Sequence, residues 1–413
     1  MKFTPACTLI ADTTLAPHQW DQFNKSQLER ILATHGKTSP HFNPDRPPYV
    51  VLDWDNTMVF LDVQEATLIY QLQNLRFKID PAQLEQALRT DVPTTPFTPA
   101  RPGPDGQPLS LDPVVRDIVD SYTWLYDHSA DLRGDQPLEF IKNQPPYTDF
   151  ITKVRFLYAA IGDTFDVSLS YPWLIYLLAG HTESEVRALT REAVDWQLQE
   201  PVEKRTWTSP AAQPGQAGVL SVSWKNGLRL IPEMQDLTRA LQTAGIEVWV
   251  CTASFVDVIQ EIASNPAYGY HIPASRVLGM ELERDERGAI KPQFRSGYDQ
   301  TYGPGKTLTI NRFLVSRHGQ GPIMVAGDSK GDLDMMQDFP HTELALIINR
   351  SQSGGLADLS QRAISEYGTP QPKILLQGRD DNHGRFIPSQ AHIPWGATSD
   401  RPAASTQPAT GPA

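Results

Sequence analysis

Cysteine is nearly absent from this 413-residue sequence, which contains only Cys7 and Cys251. The two lie far apart and form no Cys-x-x-Cys pair, so the sequence predicts neither a disulfide framework nor a cysteine-based metal or redox site. Long hydrophobic runs are also missing: none approaches the roughly 20 residues of a membrane-spanning helix, and we expect no membrane insertion. The uncharged stretch 3–11 contains Pro5 and Thr8, which suits a signal peptide poorly. As numbered, the sequence favours a soluble cytoplasmic protein, or a periplasmic one if a signal peptide has been removed.

An excess of positive charge is lacking too. The chain carries 36 Lys and Arg against 48 Asp and Glu, a formal net charge of -12, and contains no block of basic residues. This charge does not suit a nucleic-acid-binding protein, so we expect no nucleic-acid partner. Small cationic molecules or metal ions are the partners that such a balance favours. The length allows two or three domains, and nothing in the sequence indicates the oligomeric state.

Short apolar runs that alternate with helical patterns predict an α/β fold with a parallel sheet. The runs are 49–52, 246–251, 323–326 and 344–348. Between them, 63–230 has a helical texture broken by Pro-rich stretches, and we interpret it as a mostly α-helical insert. We therefore predict an N-terminal arm over 1–47 with a helix from Gln19 to Ala33, an α/β core of 48–62 plus 231–395, and a tail over 396–413. The tail is too poor in apolar residues to fold and is expected to be disordered.

Two carboxylates follow the first apolar run directly, in the sequence Asp53-Trp54-Asp55-Asn56-Thr57. In α/β proteins the carboxyl ends of the strands are where ligands bind. One carboxylate can attack phosphorus, while the other, two residues on, protonates the leaving oxygen and later takes a proton from water. The alternative is a polar turn with an N-cap, and a motif this short does not decide between the two.

Three further signals follow in the last two fifths of the chain. Thr252 comes directly after the run 246–251 and precedes a helix start, where a hydroxyl and backbone amides can bind phosphate. Lys306 lies on a Gly/Pro turn and could neutralise an aspartate and a phosphate oxygen. Asp328 and Asp332 follow the run 323–326 and supply the oxygen ligands that Mg²⁺ prefers.

In this order the four signals resemble the four motifs of the haloacid dehalogenase (HAD) superfamily. The resemblance implies a Rossmann-like parallel-sheet core with an α-helical cap domain inserted after the first motif. It implies that Asp53 is the nucleophile that forms an aspartyl-phosphate and that Asp55 is the general acid/base. The same resemblance implies that Thr252 and Lys306 hold the phosphoryl group and that Mg²⁺ is the cofactor, with a metal site that we expect to comprise Asp53, Asp55, Asp328 and Asp332. Asp55 favours a phosphatase over a dehalogenase, since a leaving halide needs no proton.

The insert resembles the cap of bacterial phosphorylcholine phosphatases and their phosphoserine-phosphatase-like relatives in the segments 62–65, 171–182 and 245–254. This closer resemblance implies a small phosphate ester, best matched by phosphorylcholine. Recognition of its ammonium group asks for carboxylates and aromatic faces, and we expect Asp62 and Glu65, shortly after the nucleophile, to be the substrate-binding residues. A phosphoserine-type or broad-specificity phosphatase, or a phosphotransferase that uses the same aspartyl-phosphate, remains an alternative. The two substrate classes differ in one feature: a phosphoserine-type cap should carry a cation, whereas a choline site should have none near Glu65.

Overall fold

The computed structural model describes residues 14–104 and 106–400. The strands are β1 (Tyr49–Leu52), β2 (Val59–Phe60), β3 (Glu203–Thr208), β4 (Ser221–Asn226), β5 (Arg229–Leu230), β6 (Glu247–Phe255), β7 (Val277–Met280), β8 (Leu282–Arg284), β9 (Ile290–Phe294), β10 (Met324–Gly327), β11 (Leu344–Ile348), β12 (Ile374–Gln377), β13 (Arg379–Asp380), β14 (Arg385–Phe386) and β15 (His392–Ile393). The helices are α1 (Gln22–His35), α2 (Val63–Gln73), α3 (Pro81–Arg89), α4 (Leu111–His128), α5 (Leu138–Ile141), α6 (Pro145–Thr164), α7 (Val167–Tyr176), α8 (Glu183–Gln197), α9 (Pro232–Thr243), α10 (Val256–Ser264), α11 (Pro304–Ile310), α12 (Ser316–His318), α13 (Leu333–Gln337) and α14 (Gly355–Glu366). Within the described ranges, no helix combines the length and the apolar character needed to cross a bilayer.

A six-stranded sheet forms the centre of the molecule, in the order β12-β11-β10-β1-β6-β7, and every neighbouring pair in it is parallel. The residues of β1, β10 and β11 are all buried, as expected when helices cover both faces of a parallel sheet. The predicted α/β fold with a Rossmann-like core is therefore confirmed. Because β1 lies between β10 and β6, the carboxyl ends of these three strands meet at one edge of the sheet.

The N-terminal arm packs against this core through α1. Leu28, Ile31 and Leu32 are fully or almost fully buried, and the side-chain amide of Asn24 donates to the carbonyl of Leu376 in the edge strand β12 at 2.8 Å. The helix begins three residues later than predicted because the side chain of Asp21 accepts the first free backbone amides as an N-cap. At the other terminus, 401–413 of the predicted disordered tail lie outside the described residues.

The insert between 63 and 230 contains α2 to α8 and is mostly helical, as predicted. Its helices from α2 to α7 contribute to an apolar cluster of their own, whereas Val186, Leu189 and Val194 of α8 belong to the apolar cluster of the sheet core. One feature was not predicted: β3 and β4 pair as an antiparallel hairpin over 203–226. The loop of this hairpin covers 209–220. The burial of β4 alternates residue by residue, which is the period of two that marks a strand. The chain enters and leaves the insert through β2 and β5, which pair antiparallel next to the predicted boundaries.

The strand that carries Thr252 is longer than the sequence indicates. β6 extends to Phe255, so Thr252 lies inside the strand instead of after it, and α10 begins at Val256. The run 246–251 ends where polar residues begin, and sequence hydrophobicity alone could not show that the extended backbone continues. Thr252 nevertheless remains at the edge of the sheet where β1 and β10 end.

Candidate active site

Lys306 joins two carboxylates that are distant in sequence. Its Nζ atom lies 2.6 Å from Oδ1 of Asp53 and 2.7 Å from Oδ1 of Asp332, and all three side chains are buried. Lys306 belongs to the first turn of α11, and the preceding Gly305 allows this placement, since a Cβ atom there would lie 1.7 Å from the carbonyl oxygen of Gln300. Burial alone would lower the pKa of Lys306, but the charges of Asp332 and Asp53 outweigh it and raise the pKa. The lysine therefore carries its charge at neutral pH.

Asp328 joins this group through Thr57, the last residue of the first motif. The Thr57 hydroxyl lies 3.0 Å from Oδ2 of Asp53 and 3.1 Å from Oδ1 of Asp328, and Arg350 forms an ion pair with Oδ2 of Asp328. Asp332 is fixed by its own loop, because its Oδ2 accepts the backbone amide of Asp328 at 3.1 Å. Strand-end loops that are far apart in sequence thus supply one contiguous set of charged side chains.

Carboxylate oxygens of Asp53, Asp328 and Asp332 lie within 4.8 Å of one another, and all three residues are buried. A set of oxygen donors with this charge suits a hard divalent cation such as Mg²⁺. Burial and the neighbouring Asp332 raise the pKa of Asp53, while Lys306 opposes this effect. The geometry therefore fits a divalent metal at three of the four predicted ligands.

Asp55, the fourth predicted ligand, is held differently. Its Oδ1 accepts the backbone amide of Val63 at 2.7 Å, and its Oδ2 accepts the hydroxyl of Ser254 at 2.6 Å. Desolvation and the negative charge of Asp62 raise the pKa of Asp55 well above the usual range for an aspartate. A carboxyl group that retains its proton is suited to act as a general acid. Its contribution to a metal site stays a prediction.

A cavity of about 120 Å³ opens onto these residues and is also lined by Thr252. The hydroxyl of Thr252 accepts the backbone amide of Ser254 at 3.1 Å, and its carbonyl accepts the hydroxyl of Thr301. The cavity thus brings together the residues predicted to act on a phosphoryl group: Asp53, Asp55, Thr252, Lys306 and Asp328. Their individual roles stay predictions.

The two predicted substrate-binding residues have structural partners. Oδ1 of Asp62 accepts the backbone amide of Glu65 at 2.8 Å and so caps α2, and burial, with the charge of Glu65, raises the pKa of Asp62 to about 7. Glu65 lines a second, outer cavity of about 450 Å³. Its Oε2 lies 3.1 Å from Nη2 of Arg155, a cation from α6 of the insert. The expected absence of a cation near Glu65 is therefore not met.

Arg350 and Arg155 are site residues that sequence reasoning missed. Arg350 lines both cavities and follows the run 344–348, so it lies at the end of β11, next to β10. The rule that selected Asp53 and Asp328, a polar residue at the end of a predicted strand, could also have selected Arg350. Arg155 lies two residues after Lys153 in α6, and only the folded chain reveals that it contacts Glu65.

The comparison with solved structures includes an extensive similarity. A solved structure described as a conserved functionally unknown protein from Anaerococcus prevotii DSM 20548 is 32% identical, with 92% of this chain and 98% of that chain covered and a TM-score of 0.86. A phosphoserine phosphohydrolase-like protein from Francisella tularensis is more distant: it is 10% identical, with 73% of this chain and 87% of that chain covered and a TM-score of 0.32. A HAD family hydrolase from Salmonella enterica serovar Typhi is also 10% identical, with 75% of this chain and 64% of that chain covered and a TM-score of 0.35. No protein-family model matches the sequence, and no curated protein matches it.

Proposed function

Starting from the fact that this chain belongs to the same family as the functionally unknown Anaerococcus prevotii protein, we propose that it is a metal-dependent phosphomonoester hydrolase of the HAD type. One observation carries this proposal. Asp53 and Asp55 stand at the end of the central strand β1, and Lys306 lies 2.6 Å from Asp53. The residues that we propose as nucleophile, proton donor and cation for the phosphate oxygens thus line one small cavity.

In the proposed first step, the Asp53 carboxylate attacks phosphorus as the bond between phosphorus and the ester oxygen breaks. Asp55 gives its proton to the departing oxygen, and the alcohol leaves behind an aspartyl-phosphate on Asp53. The hydrogen bonds from Ser254 and Val63 keep the Asp55 carboxyl fixed for this transfer.

In the second step, Asp55 takes a proton from water, the water oxygen attacks phosphorus, and inorganic phosphate leaves with Asp53 restored. Lys306 and Thr252 hold the phosphoryl oxygens throughout, which compensates the charge that develops on them. Asp53, Asp328 and Asp332 would hold Mg²⁺, which when bound supplies further positive charge to the phosphoryl group.

Phosphorylcholine, the ester that the sequence resemblance favours, does not fit this site well. A quaternary ammonium group is recognised by aromatic faces, which Tyr158, Tyr171 and Trp224 offer in the outer cavity, and by unpaired carboxylates. The carboxylate of Glu65 is instead paired with Arg155, and Asp62 caps α2. A small ester with a different leaving group is therefore the better proposal.

The test is phosphate release from p-nitrophenyl phosphate with Mg²⁺, with EDTA, and in an Asp53→Asn variant. Asp358→Asn is the matched control, because Asp358 is an exposed aspartate on α14 that lines neither cavity. We expect metal-dependent release by the wild type and the control and none by Asp53→Asn. Equal release by Asp53→Asn would refute the proposal.

A further inference from the structure

The outer cavity continues the inner one. Both cavities are lined by Asn56, Asp62, Tyr158, Tyr171 and Arg350. At about 120 Å³, the inner cavity holds little more than a phosphoryl group, whereas the outer cavity has about 450 Å³. Because the two cavities share these walls, the leaving group of an ester whose phosphorus lies near Asp53 can extend into the outer cavity.

Positive charge predominates on the walls of the outer cavity, although the whole chain has a net charge of -12. Its charged lining residues are Arg155, Lys204, Lys225 and Arg350 against Asp62 and Glu65. Arg155 is paired with Glu65, and Arg350 with Asp328. In the part of the chain that the structure describes, neither Lys204 nor Lys225 has a carboxylate within 4.0 Å.

The two lysines are direct partners across the β3–β4 hairpin, with Lys204 opposite Lys225 in the register. Like charges in directly opposite positions destabilise an antiparallel pair. Lys225 lies 6.0 Å from the centroid of the Trp395 ring, and burial together with the charge of Arg350 lowers its pKa, but within the described residues neither lysine is paired with a carboxylate beside this cavity. An anionic ligand between them would compensate both charges.

We propose that the outer cavity binds a second anionic group, a carboxylate or a phosphate, on the leaving-group side of the substrate, through Lys204 and Lys225. This inference rests on the proposed phosphatase function and narrows its substrate to phosphomonoesters with a second negative group. It reverses the expectation of small cationic partners, because the local charge of the cavity differs in sign from the net charge of the chain.

Four substrates test which charge on the leaving group the outer cavity favours. Glycerol 3-phosphate has a neutral leaving group, 3-phosphoglycerate carries a carboxylate, fructose 1,6-bisphosphate carries a second phosphate, and phosphorylcholine carries a cation. The test variant is Lys204→Gln/Lys225→Gln, which keeps a polar side chain of similar size and removes both charges. Lys291→Gln is the matched control, since Lys291 is an exposed lysine on β9 outside both cavities.

For the wild type we expect a kcat/KM at least about 10-fold higher for 3-phosphoglycerate or fructose 1,6-bisphosphate than for glycerol 3-phosphate, with phosphorylcholine lowest. The double variant should lose this preference and keep its activity on glycerol 3-phosphate, and Lys291→Gln should behave as the wild type. The substrate that shows the effect identifies the carboxylate or the phosphate as the second group.

A binding measurement separates this inference from the proposed function. Calorimetry with Asp53→Asn and 3-phosphoglycerate or fructose 1,6-bisphosphate reports ligand binding without turnover. Binding that the added Lys204→Gln/Lys225→Gln substitutions weaken by about 10-fold supports the anion site even if no phosphate is released. Wild-type hydrolysis of all four esters at similar rates, unchanged in the double variant, would overturn the inference and leave the phosphatase proposal standing.

Discussion

The Nζ atom of Lys306 lies 2.6 Å from Oδ1 of Asp53, although 253 residues separate the two in the chain. The whole insert lies between them in sequence. Asp53 follows β1, and Lys306 lies in the first turn of α11, which packs against β6, the neighbour of β1 in the sheet. Both side chains are buried, so each charge depends on the other for compensation.

Replacing Lys306 by Met should destabilise the protein by about 3–5 kcal/mol, because Asp53 and Asp332 would lose their common buried cation. Urea unfolding at pH 7 measures this change in the free energy of unfolding. Lys330→Met is the control: Lys330 is exposed in the neighbouring loop, and its loss should cost less than about 0.5 kcal/mol. Equal stability of the two variants would show that the buried ion pair does not support the fold.

The sheet and its motifs could be predicted from the sequence because each depends on local signals. The buried strands β1, β10 and β11 are continuous apolar runs, and the aspartates follow two of them directly. The pairing of Glu65 with Arg155 was not predictable in this way, since the two residues are 90 positions apart and only the packing of α2 near α6 joins them.

The hairpin β3–β4 is a second feature that local sequence signals could not predict in full. Its alternating polar and apolar residues were present in the sequence, but the register that sets Lys204 opposite Lys225 depends on pairing across the loop. The cationic outer cavity follows from that register. The substrate expectation drawn from resemblance therefore missed the charge of the pocket, while the phosphate chemistry drawn from strand-end motifs did not depend on it.

Metal binding should depend on Asp328. Asp328→Asn removes one of three clustered carboxylates, and we expect it to weaken Mg²⁺ binding at least about 10-fold in calorimetry. Asp334→Asn tests a nearby aspartate on α13 that is outside the cluster and should leave Mg²⁺ affinity unchanged. If Asp328→Asn and the wild type bind Mg²⁺ equally, the metal site lies elsewhere.

Ser254 should matter for turnover rather than for stability. Its hydroxyl donates to Asp55 at 2.6 Å, and without it the carboxyl is held by the Val63 amide alone. Ser254→Ala should lower kcat by about 10-fold to 100-fold while the melting temperature stays near that of the wild type. Ser264→Ala on α10 is the control and should leave kcat unchanged. An unchanged kcat in Ser254→Ala would show that Ser254 does not position Asp55 for catalysis.

Glu185 should make stability depend on pH in the acid range. Its hydrogen bond with the Thr182 amide and its contact with Lys78 lower its pKa from 4.5 to about 2. Because the folded-state pKa is the lower one, this stabilisation is complete above about pH 5 and is lost as the pH falls toward 2. The carboxylate is 41% exposed, so solvent screening keeps the contribution below about 1 kcal/mol.

Urea unfolding of Glu185→Gln at pH 7 and at successively lower pH measures how this contribution to the free energy of unfolding changes with pH. The variant should be less stable than the wild type at pH 7, and the difference should shrink toward pH 2. The exposed Glu286→Gln serves as the control, because Glu286 lies outside the capping box of α8. A difference between wild type and Glu185→Gln that grows on acidification would contradict the assignment.

The central claim is that Asp53 becomes phosphorylated and that Asp55 is needed to release the phosphate. Asp55→Asn with p-nitrophenyl phosphate tests both, because nitrophenolate leaves without a proton, whereas attack by water still needs the base. Acid quenching followed by peptide mass spectrometry should find one phosphoryl group on Asp53, accumulated in Asp55→Asn and absent in Asp53→Asn. Steady phosphate release by Asp55→Asn at the wild-type rate, with no phosphoryl group on Asp53, would contradict the mechanism.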